Sequence, residues 1–293
     1  MSARSRIEWT DATWNPTTGC NKVSAGCKNC YAERMAERLQ NMDGSGRYRN
    51  GFTLTMHDDE RTMSIPERWK KPKLIFVNSM SDLFHERVTD RFILDVFDVM
   101  SRCPQHIFQV LTKRPRRLSD FALQHGRHNF PTNLWLGTSI ESSDVALERL
   151  DLLAEIGHLT DVAVRFVSFE PLLGPISLRH SLDVWGVNWA IVGGESGPRA
   201  RPMLPDWARS VRATCRRTPT CLKVFELIGA PPEMMQHIGV PLFFKQWGEY
   251  NQQGVRVGKK AAGRLLDGVL HDEMPQAYYQ WRNRGIAAAE GVE

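Results

Sequence analysis

Six short apolar runs punctuate the chain, and each gives way to residues that end strands or begin turns. They are "KLIFVNSMSD" (73–82), "HIFQVLTKRP" (106–115), "LWLGTSIES" (134–142), "VRFVSFEPLLG" (164–174), "NWAIVGGESG" (188–197) and "PLFFKQWG" (241–248). Their cores are rich in Val, Ile, Leu and Phe without strict alternation, as expected of strands covered on both faces of a parallel sheet. Amphipathic stretches lie between several of them. "DRFILDVFDVMSRC" (90–103) places Phe92, Val96 and Val99 on one helical face, and "DVALERLDLLAEIG" (144–157) repeats the design. Strands alternating with helices at this spacing predict βα units, in a barrel or in an open doubly wound sheet.

The ends of the runs favour the barrel. Nearly every one finishes in polar groups: Asn78, Ser79 and Asp82; Thr112 and Lys113; Thr138, Ser139 and Glu141; Ser168 and Glu170; Gly193, Gly194 and Glu195; Lys245 and Gln246. A barrel collects the C-terminal ends of all its strands around one mouth, whereas an open sheet gathers chemistry at a single crevice. Ser, Thr and Gly end strands for reasons of turn chemistry alone. That does not explain charged Lys113, Glu141, Glu170 and Glu195, each just past an apolar run. Lys113, Glu170 and Glu195 are the candidate catalytic groups.

With 293 residues, 42% of them hydrophobic, the chain can bury a substantial core. A barrel over 1–250 is expected, with 216–238 a probable insertion and a polar extension over 251–293 packed on the barrel. No apolar run approaches the roughly 18 residues that span a bilayer, so no membrane partner is expected. The start "MSARSRIEWTDATW" lacks the apolar segment of a secretory signal. A cytoplasmic location follows as the expectation. The net charge of +5 permits contact with a polyanion without demanding it.

One stretch changes the picture. "WNPTTGCNKVSAGCKNCYAERMAERL" holds three of the six cysteines, Cys20, Cys27 and Cys30, in a C-x6-C-x2-C spacing directly before a helical pattern. Tyr31, Met35 and Leu39 form the expected apolar stripe of that helix, and Gly19 and Gly26 let the backbone curl around a compact object. Three readings compete. Structural zinc wants four ligands, and His57, Cys103, Cys215 and Cys221 are all distant in sequence. Unligated core cysteines belong in apolar surroundings rather than a polar loop. An iron–sulfur cluster takes one thiolate per iron in a four-iron cube, so three cysteines leave one iron open. The third reading is preferred.

Here the chain resembles a known family. "NPTTGC", "CYAER", "NSMSDLFH", "LTKRP", "LGTSIE", "FEPLLGPI", "VGGESGP" and "FFKQWGE" together are similar to the phage-associated three-cysteine family of radical-SAM-like proteins, over roughly residues 7–275. The usual radical SAM spacing is C-x3-C-x2-C; this chain keeps the last interval and widens the first. The "LTK" strand end is also similar to that of spore photoproduct lyase, a radical SAM enzyme of DNA repair.

The resemblance implies a partial (β/α)6-type TIM-like barrel with a C-terminal extension, a 4Fe-4S cluster on Cys20, Cys27 and Cys30, and S-adenosylmethionine on the open iron. It places Asn78, Ser79 and Asp82 at the methionyl amine and Ser139 and Glu141 near the ribose. Gly193 and Gly194 would allow close approach of the adenine or substrate. It also implies an electron donor protein. The suspected partner is nucleic acid, modified or repaired, held by Lys113, Arg114, Arg116, Arg117, Arg199 and Arg201. Peptide or small-metabolite substrates, and a non-enzymatic zinc or cluster protein that binds nucleic acid, remain the alternatives.

Overall fold

The computed structural model describes residue 5 and residues 7–42, 46–215 and 239–290. The expected insertion at 216–238, and Cys221 within it, lie outside the described residues. Seven strands form one parallel sheet in the order β1 (Ala12–Trp14), β4 (Leu74–Val77), β5 (Ile107–Thr112), β6 (Leu134–Ser139), β7 (Val164–Phe169), β8 (Trp189–Gly193) and β9 (Leu242–Gln246). The expected six-strand count is therefore corrected to seven. β1 is the strand the apolar runs do not reveal, because "ATW" is too short to show a pattern.

The sheet is curled. Trp9, just before the first strand, packs against Trp189 on the sixth with ring centroids 6.0 Å apart. In a flat sheet five strand spacings would separate them by about 24 Å. One buried cluster joins inward residues of six strands, including Leu74, Ile107, Trp135, Phe166, Ile191 and Phe243, and fills the lower half of the lumen. The fold is a mixed α/β half-barrel of seven parallel strands.

Helices cover the convex face. Between β1 and β4 the chain makes the small hairpin of β2 (Thr17–Thr18) and β3 (Thr55–Met56), the helix α1 (Tyr31–Gln40) and the single turn α2 (Glu60–Met63). Then α3 (Asp90–Ser101) follows β4, α4 (Pro115–His125) follows β5, α5 (Ser143–Leu159) follows β6 and α6 (Pro205–Cys215) follows β8. Phe92, Val96 and Val99 of α3 are buried as their spacing predicts. In α1, Met35 and Leu39 of the expected stripe pack beside the buried Ala32 and Ala36, whereas Tyr31 is half-exposed. The small alanines let the helix lie close on Met80, with Met35 and Leu39 flanking the contact.

After β9, the strands β10 (Leu265–Leu266) and β11 (Val269–Leu270) pair as a hairpin, and a last helix spans Gln276–Glu290. Trp281 Nε1 of that helix donates to Gln105 O at 3.1 Å, below the lumen. Among the described residues no helix is long and apolar enough to cross a membrane.

Gly137 shows how tightly the lumen is filled: a Cβ there would fall 2.7 Å from the Phe166 ring. Gly137→Ala should therefore cost about 1–3 kcal/mol by overpacking. Denaturant unfolding should show a lower midpoint at unchanged slope; an unchanged midpoint would refute the packing argument.

Candidate functional site

The three cysteines sit on one loop laid across the C-terminal ends of the strands. Its root is fixed by Gly19, at φ 77°, where a Cβ would meet Thr53 O at 2.2 Å. Gly19 N donates to Met80 O at 3.1 Å and Cys20 N to Phe52 O at 3.0 Å. A single 3-10 turn, Ala25–Cys27, follows, and Cys30 occupies the cap position of α1. The five cysteines among the described residues are free thiols, and the three of the loop are half-buried.

Three buried carboxylates at three strand ends hold this loop down, and each is neutralised by an arginine. Beyond β4, Asp82 accepts four hydrogen bonds. Phe84 N at 3.0 Å and Thr112 Oγ1 at 2.8 Å bind Oδ1, while Lys113 N and Arg114 Nη1, both at 3.0 Å, bind Oδ2. Arg114 passes the contact on: Nη1 lies 3.5 Å from Cys20 Sγ, Nη2 donates to Asn21 O at 3.3 Å, and Nε donates to Glu86 at 3.0 Å. Beyond β6, Glu141 is 1% exposed and accepts from Arg149 Nη1 at 2.8 Å and from Gly26 N at 3.3 Å. Beyond β8, Glu195 accepts from Asn29 Nδ2 at 3.0 Å and from Arg201 N, Nε and Nη2 at 2.8, 2.9 and 2.6 Å. Arg201 Nη2 also donates to Ala25 O at 3.0 Å.

These pairings account for most of the expected site residues, in roles the sequence does not announce. A carboxylate offers about four lone-pair directions, so Asp82 is filled by protein donors. Glu141 and Glu195 likewise spend hydrogen bonds on the loop. Ser79 Oγ donates to Asn15 Oδ1 at 3.1 Å. Ser139 is buried at the end of β6, and its carbonyl accepts from Arg149. The close approach that Gly194 permits is to Trp247 O, 1.9 Å from where a Cβ would stand, and at Gly193 a Cβ would meet the Glu170 carboxyl at 3.1 Å. Glu170 pairs with Lys245 at 2.5 Å. Asn78, at φ 60°, accepts from Thr17 N at 3.2 Å, but its Nδ2 is buried without a partner. Ser168 Oγ, at the end of β7, is buried and unpartnered too.

The basic rim divides in the same way. Arg114 is only 6% exposed in its side chain, so it serves the loop and is no surface phosphate clamp. Arg201 is held by Glu195. Arg116 and Arg117 pair with Glu148 and Asp90. Lys113 makes no ion pair within 4.0 Å among the described residues, though its charge acts on Glu141, and it borders an open cleft with Arg116, Arg117 and Arg149. Arg199 is exposed, its carbonyl accepting from Asn29 at 2.7 Å. Arg149 is the participant that sequence reasoning missed. The signal was present: it shares the buried face of α5 with Ala146, Leu150 and Leu153.

The electrostatics follow from burial against pairing. Burial pushes the Glu141 pKa up, but Lys113, Arg149, Ser24 and the Gly26 amide outweigh it, leaving the group below its ordinary 4.5. Burial opposes Arg201 and Asn29 at Glu195 with the same net result. The thiols go the other way. Burial and the Asp82 charge raise Cys20 to about 11 despite Arg114. Cys30 is raised by burial, partly offset by the Glu33 and Ala32 amides at the start of α1.

A four-iron cluster is the group that three cysteines with an open place imply. The donor set fits it: three reduced thiols share one loop, and each sulfur has a polar hydrogen nearby. Arg114 stands beside Cys20, Ser24 Oγ lies 3.8 Å from Cys27 Sγ, and the first-turn amides of α1 act on Cys30. Among the described residues no three Cys, His, Asp or Glu side chains are gathered closely enough to hold a metal ion. Ligation of a cluster would have to draw the sulfurs together and expel their protons.

The chain's sequence matches the profile of a family over residues 4–225 and 232–275. It belongs to the family described as "Protein of unknown function (DUF5131)". No curated protein is significantly similar to it. Among solved structures, a cysteine-to-serine mutant of spore photoproduct lyase aligns at 13% identity and a TM-score of 0.42, over 65% of this chain and 57% of that one. The same enzyme complexed with dinucleoside spore photoproduct aligns at 13% identity and 0.37, over 68% and 58%. A form with bound AdoMet and dinucleoside spore photoproduct aligns at 12% and 0.38, over 69% and 60%. The chain thus spans less than two thirds of the length of these structures.

The buried pair Glu141–Arg149 is testable. Arg149→Met should cost about 3–5 kcal/mol by stranding the carboxylate, and adding Glu141→Gln should restore much of it; a double variant no better than the single would refute the pairing. Because Glu141 and Glu195 titrate below 4.5 when folded, the unfolded chain takes up protons first on acidification. Their stabilisation is full above pH 4.5 and is lost as pH falls through the folded values. Thermal melts should show an acid-side loss that flattens in Glu141→Gln.

Proposed function

We propose that this chain is a radical-SAM-type enzyme whose Cys20, Cys27 and Cys30 hold a 4Fe-4S cluster, and that it modifies or repairs a nucleic acid. The observation behind the reading is the placement of three free thiols on one loop, fastened by Asp82, Glu141 and Glu195 across the mouth of a parallel half-barrel. When bound, such a cluster with S-adenosylmethionine supplies one-electron cleavage of the sulfonium and a 5′-deoxyadenosyl radical.

The chain's own residues position and exclude. The aromatic plug of Trp9, Trp135, Phe166 and Trp189 closes the lumen below, so substrate enters from the cysteine side. Asn78 Nδ2 is a spare buried donor at the mouth, and a donor suits a carboxylate oxygen of the methionyl group rather than the amine expected for Asn78 from the resemblance. Ser168 offers a second unpaired polar group within the lumen. Lys113 and Glu170 stand at the mouth as acid–base candidates, while Glu195 fastens the loop. An external redox protein supplies the electron. The phage association and a cytoplasmic setting rest on the sequence alone.

Anaerobic reconstitution tests the reading. Wild-type protein should carry about four irons and four sulfides per chain, and with reductant and S-adenosylmethionine it should yield 5′-deoxyadenosine. Cys27→Ala should lose the product. A colourless protein that binds zinc and no sulfide would sink the proposal in favour of a non-enzymatic module.

The substrate class has its own test. Replacing Lys113, Arg116 and Arg199 together by Ala should weaken single-stranded DNA binding and flatten its salt dependence by roughly 0.7 in log–log slope per lost contact. Affinity and slope equal to wild type would turn the search to peptide or metabolite substrates.

A further inference from the structure

Among the described residues, Arg114 and Arg201 hydrogen-bond to the cysteine loop, and of the two Arg114 touches a sulfur. Its Nη1 lies 3.5 Å from Cys20 Sγ. The polar neighbours of Cys27 and Cys30 come from within the loop and from α1. Arg114 is held from several sides: Nη1 to Asp82 and Nε to Glu86, both at 3.0 Å, and Nη2 to the carbonyl and side chain of Asn21. The side chains of Arg114 and Asp82 are 6% and 8% exposed, so the guanidinium is buried among these partners. The contact is therefore built into the fold, and it singles out one thiol of three.

An N–H donor aimed at a ligand sulfur draws electron density from it and stabilises the more electron-rich, reduced form of a cluster. Resting on the radical SAM reading above, we propose that Arg114 is a positioning residue that raises the cluster's reduction potential through Cys20, making it easier to reduce. The electron comes from an external one-electron reductant, a redox protein or, in the test, a mediator at an electrode. Arg114 transfers no proton, because a guanidinium stays protonated throughout. No protein bond forms or breaks in the step.

The test is a spectroelectrochemical titration of the reconstituted protein without substrate. Arg114→Lys keeps a positive charge opposite Asp82 but loses the fork that serves Asp82 and Cys20 together. Its ratio of reduced to oxidised cluster, read at the wild-type midpoint, should fall roughly tenfold, equivalent to about 59 mV for one electron. Arg201→Lys, which disturbs a loop anchor with no sulfur contact, should titrate at the wild-type midpoint. Equal midpoints for Arg114→Lys and wild type overturn the inference and leave the radical SAM reading standing. Wild type without iron and sulfide overturns both.

Should the variant not assemble a cluster, wild type alone decides. With side-chain nitrogens of arginine labelled with heavy nitrogen, the reduced cluster should show hyperfine coupling to an arginine nitrogen in pulsed EPR. Absence of that coupling also overturns the inference.

Discussion

Burying a carboxylate is tolerable only when a cation and hydrogen bonds replace the water it gives up. The side chains of Asp82, Glu141 and Glu195 are each at most 8% exposed, and they stand beyond the ends of three different strands. Their partners, Arg114, Arg149 and Arg201, come from the start of a helix, the face of another helix and a loop. Two of these arginines also reach the cysteine loop, and the third leaves Glu141 an oxygen for the Gly26 amide. The position of the thiols is thus a by-product of charge neutralisation. A loop of Gly, Ser, Asn and Lys has little apolar surface with which to dock, and the ion pairs supply the docking instead.

The parallel sheet makes this arrangement economical. Because its strands all point one way, the residue just past each apolar run arrives at the same rim. The lower lumen is sealed by aromatic rings: Trp9 meets Phe76 at 4.7 Å, and Trp189 meets Phe243 at 6.1 Å. Several tryptophans are thereby committed to the core, including Trp14, Trp135, Trp189 and Trp247, and are not platforms for stacking bases. Apolar filling below and paired charge above give the lumen a dry floor and a polar mouth.

Much of the architecture was legible in the sequence because burial writes itself into local pattern. The six apolar runs became β4 to β9, and Phe92, Val96 and Val99 marked the inner face of α3. β1 escaped, since three residues cannot show a period. The α1 stripe held for Met35 and Leu39 but not for Tyr31, and it missed Ala32 and Ala36, which pack closest. At the site, charge after an apolar run identified Glu141, Glu170 and Glu195 as unusual. It could not say what they face: Glu195 meets Asn29 across 166 residues and Glu141 meets Gly26 across 115. Pairings that long-ranged leave no local trace. Arg149 did leave one, as a charge on an apolar helical face.

Cys20 exposes the tension in this design. Its thiol is raised to about 11 although an arginine stands beside it, because burial and the neighbouring Asp82 oppose the thiolate more than Arg114 favours it. The same aspartate that aims Arg114 at the sulfur thus holds that sulfur in its neutral form in the metal-free chain. A ligated iron, on the function proposed here, would favour the thiolate, and the guanidinium contact to it would become charge-assisted and stronger. A lysine in place of Arg114 would carry the charge but not the planar fork that serves carboxylate and sulfur at once. On that reading the Asp82–Arg114 unit would be a preset donor, its guanidinium already beside the sulfur that a cluster would take.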